Sequence, residues 1–399
     1  MQFAALIGGV LCLGTVLLDA FQTIILPRRP RGRFRVTRFF YLLTWMPWVA
    51  VTRRISSRRA RETMYSIYGP LSLILLLVLW AVMLVSGFAL LYYSMGSPFV
   101  NQMGSGFSRL RTDLYVSGTT LFTLGLGDVL PRSLHARELL VLESGMGLGF
   151  VALVIGYLPV FYGAFSRREV NIALLDARAG SPPTATELLR RHSFEGGAEA
   201  LGKLFEEWER WAAELLESHL SYPNLCYYRS QHDNQSWLSA LTAILDTCAL
   251  QISSIRGPAA RQAQLTFAIA RHALVDLSQV FSQKPCKPLE ERLPTEVFQS
   301  MCSQLSTAGV NLCGDAASSV RLEELRGLYE PYAWALGQHL RMDLPPWVPA
   351  PRAKDSWQTV ARLHSQAQNV PPGVLEIQDI QVSDQAVSTR LHDEEHHHF

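Results

Sequence analysis

The chain has 399 residues and a formal net charge of +2, so overall charge points to neither a nucleic acid nor an acidic partner. Its 48% hydrophobic content is unevenly placed, with uncharged runs long enough to cross a bilayer early and soluble-looking sequence later. A wholly soluble protein is thereby excluded.

Residues 3–26, FAALIGGVLCLGTVLLDAFQTIIL, form the first candidate span. The stretch lacks a basic leader and outruns the about 7–15 apolar residues of a signal peptide, so it reads as a retained helix. Asp19 inside it is either partnered by protein or able to reach the surface.

Eleven arginines follow, with Arg28 the first and Arg61 the last. Their density places this connection in the cytoplasm, with the first helix running inward, and makes it a contact for anionic lipids. Between the basic blocks, residues 39–51 (FFYLLTWMPWVAV) are too few to span and are broken by Pro47. They are expected to lie at the interface, anchored by Trp45 and Trp48, with a strained fourth span as the alternative.

Residues 70–94, PLSLILLLVLWAVMLVSGFALLYYS, are uncharged throughout and form the second span. Next comes TDLYVSGTTLF, residues 112–122, whose threonine cap and acid start a helix of roughly 15 Å, half a bilayer deep. It leads into TLFTLGLGDVLP, residues 120–131. Non-helical backbone at membrane depth needs protein or a water-filled path around it. Gly125 and Gly127 can take left-handed angles, which lets successive carbonyls turn toward one axis and replace the water around a cation.

Residues 139–165, LLVLESGMGLGFVALVIGYLPVFYGAF, supply the third span. Gly149, Gly156 and Pro159 permit a bend, with Tyr157 and Phe161 near an inner constriction; equally, the glycines permit close helix packing. Glu143 either hydrogen-bonds behind the loop or reaches the outer surface. An arginine repeat of the voltage-sensor kind is missing from all three spans.

Span, half-helix, T-L-G-L-G-D and span, over roughly residues 70–165, resemble the pore domain of the potassium channel superfamily. The matching residues are Thr123, Leu124, Gly125, Leu126, Gly127, Asp128 and Pro131. The resemblance implies ion sites at the main chain of Thr123, Leu124, Gly125, Leu126 and Gly127, with the Thr123 hydroxyl contributing. Phe122, Asp128 and Glu143 would support the filter, with K+ as the permeant ion and no cofactor or enzymatic activity. Leu126 replaces the family's usual aromatic residue and Phe122 a usual threonine, which predicts a softer filter. One loop per chain, without internal repetition, requires a homotetramer to close a ring.

Beyond residue 166 the periodicity is helical. Leu201, Leu204, Phe205, Trp208, Trp211, Ala212, Leu215 and Leu216 make one apolar face, and similar faces occur over 237–252, 265–281 and 322–340. Strand-like alternation is not found. Breaks fall at GSPP, SYPN, KPCKP and LPPWVPAP. No dinucleotide fingerprint, phosphate loop or nucleophile elbow is present. His219, Cys226 and His232 are close in sequence but read as ordinary polar residues rather than a metal site, and the terminal HHH as part of a flexible tail. The six cysteines show no paired spacing and are expected to be free.

The chain is thus expected to be an all-α membrane protein. Residues 1–68 would hold the N-terminal span and basic interfacial segment, 69–166 the pore domain, 167–343 a cytoplasmic helical domain, and 344–399 a Pro-rich linker, short helix and disordered tail. The leading function is a potassium-selective channel of the plasma membrane, gated or assembled by the helical domain through an unidentified cytoplasmic ligand or protein. A weakly selective cation channel, or a tethered receptor or scaffold with a vestigial pore, are the alternatives.

Overall fold

The computed structural model describes residues 1–25, 35–101, 109–231, 234–288, 290–310, 312 and 315–350. Among these, three helices are long and apolar enough to cross a membrane: Gln2–Ile24, Arg58–Ser94 and Leu134–Ala179. Further helices form a separate helical region.

Helix α1 (Gln2–Ala20) lies along α3 (Arg58–Ser94). Glycine sets how closely they approach. A β-carbon on Gly9 would stand 2.8 Å from the Gly87 carbonyl oxygen, and one on Gly87 2.8 Å from the Leu13 side chain. Small residues of this kind let spans touch backbone to backbone.

Asp19, near the end of α1, is partnered within the protein. It accepts hydrogen bonds from the Thr37 amide (3.0 Å), the Thr37 hydroxyl (2.6 Å) and Trp80 Nε1 (3.0 Å), with Arg35 Nε at 3.8 Å. Thr37 opens α2 (Val36–Thr52), so the carboxylate satisfies a free amide at a helix N-terminus and complements its dipole. The cysteines among the described residues are free thiols; Cys313, His232 and the basic run 26–34 lie outside those residues.

At 17 residues α2 is about 25 Å long, short of the roughly 30 Å hydrocarbon core. Its tryptophans do not serve as lipid anchors in the manner expected. Trp45 is 3% exposed and donates to the His339 carbonyl at 2.9 Å, while Trp48 donates to the Met64 carbonyl at 3.1 Å. Each indole N–H needs an acceptor, and the helical region and α3 provide nearer ones than water. Trp45 joins Tyr41, Tyr68 and Tyr227 in an aromatic cluster, in which Tyr41 and Tyr227 stack at 5.2 Å. The opposite face of α2, with Leu42, Leu43 and Met46, is exposed.

Between α3 and the last span lie two three-residue strands, β1 (Phe99–Asn101) and β2 (Val129–Pro131), and helix α4 (Arg109–Leu121). The strands pair antiparallel, Val100 opposite Leu130. An all-helical reading misses this ribbon because three residues are too few to display alternation.

The third span, α5 (Leu134–Ala179), runs unbroken for 46 residues, so the domain boundary expected after residue 166 falls inside it. Ser166 to Glu169 are polar, but none of the four stops a helix; the first breaker is Gly180, at φ +82°. The third span and the first element of the helical region are therefore one continuous helix.

The rest comprises α6 (Ala185–Arg191), α7 (Gly197–Ser221), a tight turn at Pro223–Tyr227, α8 (Trp237–Ser253), α9 (Ala260–Val280), α10 (Thr295–Thr307), α11 (Ala316–Gly327) and α12 (Glu330–Leu340). Helix α8 is buried on every side and forms the axis around which α6, α9, α11 and α12 pack. Its Asp246 accepts from Arg292 Nη2 at 2.6 Å and from the Tyr329 hydroxyl, and Arg292 also pairs with Glu330 at 2.8 Å. The stretch 322–340, expected as one helix, is two, because Pro331 starts a new one. The Pro-rich segment after 343 begins inside the packed core: Trp347 is fully buried and its carbonyl accepts from the Thr186 hydroxyl at 2.6 Å. The short helix and tail expected beyond residue 350 lie outside the described residues.

Two histidines of this region are held neutral. Burial, then Arg168, pushes His219 well below the usual imidazole value; burial, then Arg341, brings His339 down to about 4. The unfolded chain binds these protons near pH 6.5, so stability present above that pH is lost as it falls toward 4, at up to about 1.4 kcal/mol per pH unit for each group. Thermal unfolding of the full chain in detergent should be flat above pH 7 and fall below pH 6.5, with a shallower fall in H339Q.

Candidate functional site

Helix α4 enters between α3 and α5 and stops at Leu121, and the chain returns through residues 122–128 to β2. The start of the return is tied to the helix: the Phe122 amide donates to Gly118 O (3.1 Å), Thr123 to Thr120 O (3.0 Å) and Leu124 to Thr119 O (2.8 Å). Its end is held by the β1–β2 pair and by the Arg132 amide on Pro98 O at 2.8 Å.

In between, the backbone alternates. Thr123 (φ +55°), Gly125 (φ +53°) and Gly127 (φ +74°) are left-handed, while Leu124 and Leu126 are not. For glycine this is free of strain; for β-branched Thr123 it is a strained position, at about 1–3 kcal/mol. The carbonyls of Thr123, Leu124, Gly125 and Leu126 accept no hydrogen bond among the described residues. Residues 122–127 are exposed in the single chain, Leu126 at 62%. Four successive carbonyls of this loop are thus unpaired among the described residues.

Two carboxylates lie near the loop, one at its end and one on α5. Asp128 accepts from the Tyr115 hydroxyl of α4 at 2.8 Å. Tyr115 carried no signal in the sequence, because an aromatic at that helix position also reads as packing. Glu143 is fully buried rather than at the outer surface: it accepts from Tyr92 of α3 at 2.6 Å and from Ser117 of α4, whose hydroxyl also lies 2.9 Å from Val85 O. One carboxylate thus joins three helices. Four residues on, Gly147 lets α5 close on α4, since a β-carbon there would meet Leu121 O at 2.0 Å.

The residues expected at a gate separate into two groups. Gly149, Gly156 and Pro159 lie on an exposed face of α5. Tyr157 and Phe161 point the other way, buried with Leu73, Leu225 and Tyr228. Phe161 and Tyr228 rings are 5.1 Å apart, and Tyr157 and Tyr222 rings 5.5 Å. Below them, buried Arg168 of α5 donates to Leu225 O (2.9 Å) and Tyr228 O (3.0 Å), and its guanidinium lies 3.1 Å from His219 Nε2. Nothing in the sequence position of Arg168 distinguishes it from Arg167.

His219 and Cys226 are accordingly engaged in packing: the ring on Arg168, and the thiol fully buried, which pushes its ionisation far up. Among the described residues no cluster of three His, Cys, Asp or Glu side chains has the form of a metal site.

Residues 75–162 match the family model described as Ion channel. This stretch is similar to an ion-channel pore domain. The match opens inside α3 and closes inside α5, so it contains Tyr92, Ser117, the return loop and Glu143. Members of that family move ions and are not enzymes. Over 248 residues, 62% of this chain and 69% of the other, the sequence is 25% identical to the uncharacterized membrane protein YdjJ of Bacillus subtilis (strain 168). No solved structure matches.

Two substitutions test the bracing. G147A should lower thermal stability by about 1–3 kcal/mol through overpacking against α4, whereas G145A, with open space around it, should not. E143A leaves the buried Tyr92 hydroxyl without its acceptor and turns Ser117 back on Val85 O, and should destabilise by about 1–3 kcal/mol, with E143Q closer to the native chain; melting in detergent measures both.

Proposed function

We propose that the chain is a potassium-selective ion channel in which four copies each contribute one return loop to a shared conduit. The reading is carried by the alternation at Thr123, Gly125 and Gly127, which leaves the intervening carbonyls unpaired and able to stand in for the hydration shell of a cation. Conduction is passive, and repulsion between ions in neighbouring sites keeps each from being held too tightly. The Thr123 hydroxyl would add a further oxygen at the inner end.

Assembly of four copies is supported by what one copy leaves bare. In the most apolar window of α5 just 11% of residues are buried within the chain, against 44% for α3. A face of that kind needs lipid or neighbouring copies, and Gly145, Gly149 and Gly156 on it allow close approach. The arginines preceding α3 favour a cytoplasmic location for the helical region and a plasma-membrane setting for the whole. Gating then passes through α5: Tyr157, Phe161 and Arg168 fasten the rod to the turn after α7, so movement of the helical region bends α5 between Gly149 and Pro159.

A weakly selective cation channel is the second reading, favoured by Leu126. Its exposed side chain offers no polar tip to α4, and the Tyr115 hydroxyl of α4 reaches Asp128 instead.

Purified protein in a planar bilayer between potassium and sodium solutions should reverse near the potassium equilibrium potential. G125A and G127A, which strain left-handed positions, should cut conduction at least about ten-fold, corresponding to 1.4 kcal/mol or more. Equal permeability would favour the second reading, and an absence of flux from folded wild-type protein would exclude both.

A further inference from the structure

The helical region does not press flat against α2. Between them lies a cavity of about 920 Å3, within the size of sites that hold substantial ligands, about 300–1,000 Å3. Tyr41, Trp45 and Val49 of α2 line one wall, and Tyr227 and Phe281 line another. The charge of the cavity is one-sided: Arg35, Arg38, Arg53 and Arg341 border it, and among the described residues no aspartate or glutamate does.

Arg35 is engaged, 3.8 Å from Asp19 and donating to the Thr23 hydroxyl at 2.9 Å. The other three carry no ion pair among the described residues. Arg38 reaches the Ser282 hydroxyl at 3.5 Å, and Arg53 and Arg341 form no ion pair among the described residues. Asp343, two residues past Arg341, is paired with Arg58 at 3.1 Å. Arg341 has a buried Nε with no hydrogen-bond partner and sits at φ +58°. Burial and the neighbouring charge of Arg53 both lower its affinity for its proton. Arg341 is half-buried beside the exposed Arg53, and two guanidinium charges side by side repel until an anion joins them; the planar fork suits phosphate.

The apolar part of the site leads outward. Leu42 and Met46 line the cavity and are also 62% and 64% exposed, continuous with Phe39 and Leu43 on the bare face of α2. A free phosphate would engage the arginines and leave this apolar face uncovered.

We propose that this cavity binds an anionic phospholipid, its phosphate held between Arg53 and Arg341 with Arg38 at the rim, and its acyl chains laid along Leu42 and Met46. The lipid would then form part of the joint between α2 and the helical region.

The full chain, released from vesicles of mixed phosphatidylcholine and phosphatidylglycerol, can be weighed by native mass spectrometry with its retained lipids. Wild type should keep phosphatidylglycerol in preference to phosphatidylcholine. R53Q/R341Q should weaken that retention roughly thirty-fold, whereas R111Q/R132Q, in the first turn of α4 and just after β2, should not. L42Q/M46Q leaves every arginine in place and should also weaken it, which separates lost binding from lost folding. Equal retention of the two lipids, unchanged retention in both cavity variants, or displacement of phosphatidylglycerol by inorganic phosphate would overturn the proposal. No ion flux is measured, so the outcome is independent of the conduction reading.

Discussion

One buried carboxylate organises the membrane-embedded half. Glu143 has no water to turn to, so its oxygens must be met by donors from whatever packs against α5, and those donors are Tyr92 of α3 and Ser117 of α4. A buried acid that finds two hydroxyls from two other helices fixes how all three sit relative to one another. The return loop inherits its position from this arrangement, because α4 is held by Ser117 on one side and by the close pass of Gly147 on the other. The unpaired carbonyls of the loop are thereby presented on a support that does not shift with every side-chain fluctuation.

The same helix carries that order out of the membrane. Because α5 runs on past Ser166–Glu169 to Gly180, the span and the first element of the helical region share one helix. Arg168 is the fastening. A buried guanidinium is tolerable only with full hydrogen bonding, and here carbonyls from the turn after α7, a histidine ring and Glu169 supply it. The aromatic cluster around Trp45 makes a second fastening, through α2. Among the described residues these are two of the attachments of the helical region to the spans, one on the proposed conduction path and one on α2, with the arginine-lined cavity beside the second.

Sequence reading was strongest where one physical requirement dominates. Hydrocarbon thickness makes long uncharged runs visible, and all three span-length helices were legible from it. Left-handed backbone makes glycine visible, so positions 125 and 127 stood out, while Thr123, equally left-handed, did not, since nothing in a threonine announces strain. The apolar face of α7 was readable for the same reason as the spans, its buried residues recurring at helical spacing. Partners across the fold were not readable. Tyr115, Ser117, Tyr92 and Arg168 are ordinary residues locally, and their roles arise from which helix lies beside which. Trp45 and Trp48 were misjudged for a related reason: an indole at a membrane boundary satisfies its N–H equally well with a headgroup or with a neighbouring carbonyl, and only tertiary packing decides.

Helix α8 bears on how the polypeptide is made. While it emerges from the ribosome it is an apolar segment with no neighbours yet folded around it, much like the genuine spans that precede it. Its 17 residues are a little short for the translocon to pass into lipid, and Asp246 at their centre adds roughly 2.5–3.5 kcal/mol against insertion. The acid that later receives Arg292 therefore also directs the nascent segment toward the aqueous side.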